Sequence, residues 1–155
     1  MENLKLGFIG AGFIAHFQAE ALLAVRGADV TGVHALKGAE EFAELCKKTK
    51  IGECKVYPDV AELCKNVDVV ALFAPNYVRI ELMEQIVEAV KGGAELKGII
   101  CEKPLGRTVA EAKRLVELLK ETGIPNAYFE NQLHMKCVQK ALQQLEPQRK
   151  SMGEL

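Results

Sequence analysis

The sequence predicts an α/β fold, a doubly wound parallel sheet with helices on both faces. Three observations carry that prediction. The chain opens on an apolar run, Leu4-Lys5-Leu6-Gly7-Phe8-Ile9, followed by Gly10, Gly12 and Ala15 in the form G-x-G-x-x-A and then by a helix pattern. Short apolar strand patterns then alternate with helix patterns along the chain. The central run Val67-Asp68-Val69-Val70-Ala71-Leu72-Phe73 reads as a buried strand, ended by Pro75, which cannot donate to a ladder. Right-handed crossovers from a glycine-bearing first strand produce the doubly wound order.

Each element has a local reason. Gly10 lets the chain turn sharply out of the first strand, Gly12 keeps the backbone bare, and Ala15 is small enough for a helix to pack closely on the sheet. That helix is expected over residues 13–26, stopped by Gly27. Residues 29–35 read as the second strand. A helix over 38–48 follows, with Phe42 and Leu45 facing inward. Residues 54–57 form a short third strand. Asp59 caps the next helix, with Glu62 three positions on. After the central strand, residues 78–90 place Ile80, Met83, Ile86, Val87 and Val90 on one helix side, and Gly92-Gly93 ends it. Residues 98–101 are the fifth strand. Thr108 caps a helix to about residue 122, with Glu111 completing a capping box. Residues 127–129 are the sixth strand, and a last helix spans about 134–145. The expected division is a nucleotide-binding domain over residues 1–146 and a polar tail, or the start of a linker, over 147–155.

Composition removes several function classes. A chain of 155 residues, 49% hydrophobic, suits one domain with a proper core. The net charge is -1, and no basic stripe with interleaved aromatics appears, so nucleic acid is not an expected partner. The apolar runs are too short to span a bilayer, and the opening Met-Glu-Asn-Leu-Lys lacks the apolar segment of a signal peptide, so the expected location is the cytoplasm. The five cysteines form no C-x-x-C pair, and no histidine stands at a zinc-ligand spacing from them. They read as reduced, mostly buried thiols, and no metal site is expected.

Ligands of such a sheet lie at the carboxyl ends of its strands. The first helix would aim its unpaired amides and positive dipole end at a bound diphosphate. At the end of the second strand a carboxylate usually meets an unphosphorylated adenosine ribose; here stand His34, Ala35, Leu36 and Lys37. With no carboxylate to repel it, a 2′-phosphate is tolerated, and Lys37 could pair with it, which favours NADP over NAD; the other reading of Lys37 is a solvated loop lysine. Ala74-Pro75-Asn76 follows the fourth strand, where Asn76 can bond to ribose or simply make a local turn. Glu102-Lys103-Pro104 follows the fifth. Adjacent charges at a buried strand end are costly unless used, and a lysine in a partly dry cleft has a destabilised ammonium that suits proton transfer; the other reading of this segment is an exposed charged turn.

Taken together, Gly10 to Ala15, Ala74-Pro75-Asn76, Cys101-Glu102-Lys103-Pro104-Leu105, the segment Asp59 to Leu63 and Asn131 resemble the glucose-fructose oxidoreductase / inositol dehydrogenase / MocA family. The resemblance covers only that family's amino-terminal, NAD(P)-binding Rossmann domain, with the substrate domain absent. It implies hydride transfer between NAD or NADP and a sugar, polyol or related secondary alcohol. By the same resemblance the backbone of Phe13 and Ile14 holds the diphosphate, and Ala74, Pro75, Asn76 and Arg79 line the cofactor cleft. Glu102 helps fix the nicotinamide ribose, Lys103 sits catalytically beside the reacting hydroxyl, and Asn131 borders the cleft. Arg79 stands where the family usually has a histidine, and Ala74 where it has a threonine. His134 reads as a polar surface residue. The isolated chain is expected to bind nucleotide with little or no turnover, and to self-associate through apolar surface such as Val138, Leu142 and Leu145. A non-catalytic dinucleotide-binding sensor of the same fold is the alternative.

Overall fold

A computed structural model describes residues 3–152. The elements run β1 (Leu4–Ile9), α1 (Phe13–Leu22), β2 (Ala28–His34), α2 (Ala39–Thr49), β3 (Lys55–Val56), α3 (Val60–Asn66) and β4 (Val69–Leu72). A 3-10 turn at Asn76–Val78 leads into α4 (Arg79–Lys91). Then come β5 (Gly98–Glu102), α5 (Val109–Thr122), β6 (Asn126–Phe129), a second 3-10 turn (Asn131–His134) and α6 (Lys136–Met152). The six strands form one sheet in the order β3-β2-β1-β4-β5-β6, and every pairing is parallel. This is the doubly wound order expected above.

The two-residue period of the strands divides the core. From β1, Phe8 faces one side and Ile9 the other; from β4 and the residue after it, Val69, Ala71 and Phe73 face one side while Val70 and Leu72 face the other. The first side packs Ala15 and Ala19 of α1 and Phe42 and Cys46 of α2. The second packs Leu63 of α3, Met83, Ile86 and Val87 of α4, and Leu115 and Leu118 of α5. Only Ala15 and Ala19 of α1 are buried, so small side chains let this helix lie close to the sheet.

The capping signals act as written. The Glu62 amide donates to Asp59 Oδ1 at 2.7 Å, and the Glu111 amide to Thr108 Oγ1 at 3.2 Å. The Glu111 carboxylate also accepts from the Arg107 amide, 2.7 Å away and one residue before the cap. Two boundaries differ from expectation. The helix expected to reach residue 26 ends at Leu22, because the next amides bond three residues back and tighten the last turn: Leu23 to Glu20, Ala24 to Ala21 and Val25 to Leu22. The last helix, expected to stop at residue 145, continues to Met152 with Pro147 inside it. A proline removes one amide from a ladder, and the good helix formers around it carry the helix on. The expected tail beyond 152 lies outside the described residues. Among the described residues no helix is long and apolar enough to cross a membrane.

Candidate functional site

The carboxyl ends of β1, β2, β4 and β5 enclose a cleft of about 1050 Å³, at the point where the strand order reverses between β1 and β4. Binding sites for small molecules span about 300–1,000 Å³, so this cleft accommodates an extended ligand. Its walls come from Gly10 to Ile14, from His34 to Lys37, from Phe73 to Arg79, and from Glu102 to Pro104.

The glycine turn forms the floor. Gly10 takes φ 104°, and its amide donates to the His34 carbonyl at 2.8 Å, tying the turn to the end of β2. Gly12 is the N-cap of α1, and no side chain satisfies the free amides there. A β-carbon built on Gly12 would meet nothing within 4 Å. The helix end therefore faces open space with unpaired donors, the geometry that receives an anionic group. Phe13 is 85% exposed, which leaves its ring beside the cleft, not in the core.

At the end of β2, His34 Nδ1 lies 3.0 Å from the Tyr57 carbonyl. Ala35, Leu36 and Lys37 line the cleft, and among the described residues no carboxylate does so at this end. Asp29 sits at the opposite end of the strand, where the Asn3 amide group donates to it at 3.0 Å. Glu40 and Glu41 stand in the first turn of α2, outside the lining.

The far wall joins the β4 and β5 loops. Ala74 is buried, Pro75 exposed and Asn76 half-buried. Arg79 is 2% exposed. Its Nη2 donates to the Ala74 carbonyl at 3.0 Å, and its Nη1 donates to the carbonyls of Glu102 and Pro104. Burial pushes the guanidinium below its ordinary pKa, and Cys101 and Glu102 act in the other direction. Glu102 is 5% exposed, and its Oε2 has no partner among the described residues. A buried acceptor without a partner is costly and calls for a donor. The Lys103–Pro104 peptide bond is cis.

The structure gathers Gly10, Gly12, Phe13, Ile14, Ala35, Lys37, Ala74, Pro75, Asn76, Arg79, Glu102 and Lys103 around this one cleft. Asn131 is not among its lining residues; it starts the 3-10 turn after β6 and is exposed. The partly dry surroundings expected for Lys103 are absent among the described residues, because it lies exposed at the cleft mouth. The sequence reading missed Leu36 as a wall, and also Tyr77 and Gln85. Leu36 is 97% exposed and Tyr77 64%, and large side chains that the core does not use are the signal that marks such positions. Of the five thiols, Cys46, Cys54, Cys64 and Cys101 are buried and Cys137 is exposed; all are free. Burial pushes the Cys101 thiol up to about 11, against the pull of Arg79, which favours the protonated thiol at neutral pH. Among the described residues no group of three His, Cys, Asp or Glu side chains is placed to hold a metal.

Known proteins are similar to this chain in sequence and in fold. Residues 4–130 match the family described as "Oxidoreductase family, NAD-binding Rossmann fold". The inositol 2-dehydrogenase of Acidothermus cellulolyticus is 33% identical over 126 residues, covering 78% of this chain and 34% of that protein. The glucose-6-phosphate 3-dehydrogenase of Bacillus subtilis is 30% identical over 118 residues, 76% of this chain and 30% of that one. The chain thus spans about a third of the length of these relatives. The scyllo-inositol dehydrogenase of Lactobacillus casei, solved with bound NAD(H) and scyllo-inositol, superposes with a TM-score of 0.73 at 18% identity over 96% of this chain and 42% of that one.

Proposed function

The chain belongs to the oxidoreductase family whose NAD-binding Rossmann domain it matches, the glucose-fructose oxidoreductase / inositol dehydrogenase / MocA family, and on that premise we propose that it is the cofactor-binding part of a sugar or polyol dehydrogenase. The reaction is reversible hydride transfer between a nicotinamide dinucleotide and a secondary alcohol carbon. One observation carries this reading: the open space over Gly12, at the bare N-terminus of α1, lies in the same cleft as the buried unpartnered Glu102 carboxylate and the Lys103 side chain.

The residues fit a dinucleotide in three ways. The first amides of α1, at Phe13 and Ile14, would hold the diphosphate. Glu102 Oε2 would accept a hydroxyl of the nicotinamide ribose. Lys103, at the mouth, would hold the reacting hydroxyl and move its proton. The bound nicotinamide supplies the hydride acceptor or donor. Lys37, with no carboxylate beside it on the cleft wall, favours a 2′-phosphate, so NADP is preferred over NAD.

The described residues form one sheet, with the cleft open at its strand ends and no second wall for a sugar among them. Positioning of reactants lowers a barrier by about 7–11 kcal/mol, so the chain alone should bind nucleotide and turn over little. Leu142 and Leu145 are 53% and 57% exposed on α6, which supports self-association. The protein is assigned to the cytoplasm.

Calorimetric titration with NADP and NAD tests the reading. Saturable binding of both, tighter for NADP, is the expected result. No heat at millimolar dinucleotide overturns it. Detectable oxidation of a sugar or polyol by the chain alone overturns the low-turnover part.

A further inference from the structure

Arg79 begins α4, yet its side chain turns inward and is nearly sealed from water. A buried guanidinium is costly unless its donors are met. Here the two terminal nitrogens are met by backbone, and from two different loops, while Nε has no partner among the described residues. Nη2 holds the Ala74 carbonyl after β4, and Nη1 holds the carbonyls of Glu102 and Pro104 after β5. Those last two residues flank Lys103.

We infer that Arg79 is a positioning residue: it locks the β4 loop to the β5 loop and so sets the direction in which Glu102 and Lys103 face the cleft. It reaches these residues through their main chain, without touching the reacting atoms itself. A planar fork with two terminal nitrogens bridges separate carbonyls, and a lysine ammonium at the end of a flexible stem does not reproduce that geometry. The contacts to the Ala74 and Glu102 carbonyls are buried, and a buried acceptor that loses its donor is costly. This inference rests on the dinucleotide reading for its consequence in binding, and not for the clasp itself.

Two ligands separate the halves of the cleft. ADP reaches the glycine turn and the β2 end but lacks the nicotinamide riboside that Glu102 and Lys103 would meet. Arg79→Lys and Arg79→Gln are expected to bind ADP within about twofold of the parent chain, while the advantage of NADH over ADP falls tenfold or more. The emission of bound NADH should revert towards that of free NADH. Equal weakening of ADP and NADH, or no change in either, overturns the inference. A parent chain that binds neither ligand sinks the dinucleotide reading alone, because the clasp has its own measurement. In the unliganded parent, NMR should find the Arg79 Nη protons slow to exchange with water, unlike those of the exposed Arg107. In Arg79→Lys the Lys103 and Leu105 amide resonances should shift, with those of β4 unchanged. Fast Nη exchange in the parent, or unaltered loop amides in the variant, refutes the clasp.

Discussion

Gly10 lies against the backbone of Ala74: a β-carbon on Gly10 would stand 2.7 Å from the Ala74 amide nitrogen. The turn after β1 and the loop after β4 touch main chain to main chain, which brings the two sides of the switch point together. Gly10 also holds φ 104°, a conformation that side chains rarely adopt. Gly10→Ala is therefore expected to cost about 2–4 kcal/mol of stability through strain and a forced loop shift. Urea unfolding measures it, and a cost below about 0.5 kcal/mol would show that the contact yields freely.

Gly12 presents the opposite case. Its φ of -83° is open to any residue, and nothing lies within 4 Å of an added β-carbon. Gly12→Ala should leave the unfolding midpoint unchanged, to within about 0.5 kcal/mol. Its methyl group projects into the space where the diphosphate must approach, so dinucleotide affinity should fall tenfold or more. Retained affinity would place the diphosphate elsewhere.

Lys37 supplies a test of cofactor choice. Removing its charge in Lys37→Ala should weaken NADP binding about tenfold, roughly 1.4 kcal/mol, and leave NAD binding as it was. Parallel calorimetric titrations read both values. An equal loss for the two dinucleotides would mean that Lys37 contributes through the loop, not through the 2′-phosphate.

At the far end of the sheet, Asp68 joins two strands. Its carboxylate accepts from the Lys5 amide at 2.8 Å and pairs with Lys97 at 2.7 Å. The Lys97 hydrogen bond and then the Lys5 amide hold its pKa below the usual carboxylate value. A depressed folded-state value stabilises the fold above the unfolded pKa, about 3.9, and the contribution is lost as pH falls through the lower folded value. Asp68→Asn should cost about 1 kcal/mol at pH 7, and the difference from the parent chain should shrink as pH falls below about 4. A difference that stays constant down to pH 2 would rule out the carboxylate as its source.

Much of this protein is readable along the chain, because its signals are local. A glycine turn between strand and helix, the caps at Asp59 and Thr108, and the alternation of Val69, Ala71 and Phe73 with Val70 and Leu72 depend on neighbours a few residues away. Sheet order followed from chirality, and the strand ends then named most of the cleft. What only the tertiary structure decided depends on groups far apart in sequence. Arg79 meets the Glu102 and Pro104 carbonyls across 23 and 25 positions, and no pattern around an arginine at a helix start announces which backbone it will hold. Lys103 carries the same sequence signal whether dry or exposed; its solvent contact is set by how the loops close around it. Asn131 follows a strand end as the other site residues do, yet β6 is the outermost strand on its side of the sheet, and the cleft opens between β1 and β4. Secondary structure is written in periodicity and punctuation, whereas burial and hydrogen-bond partnership arise only when distant segments exclude water together.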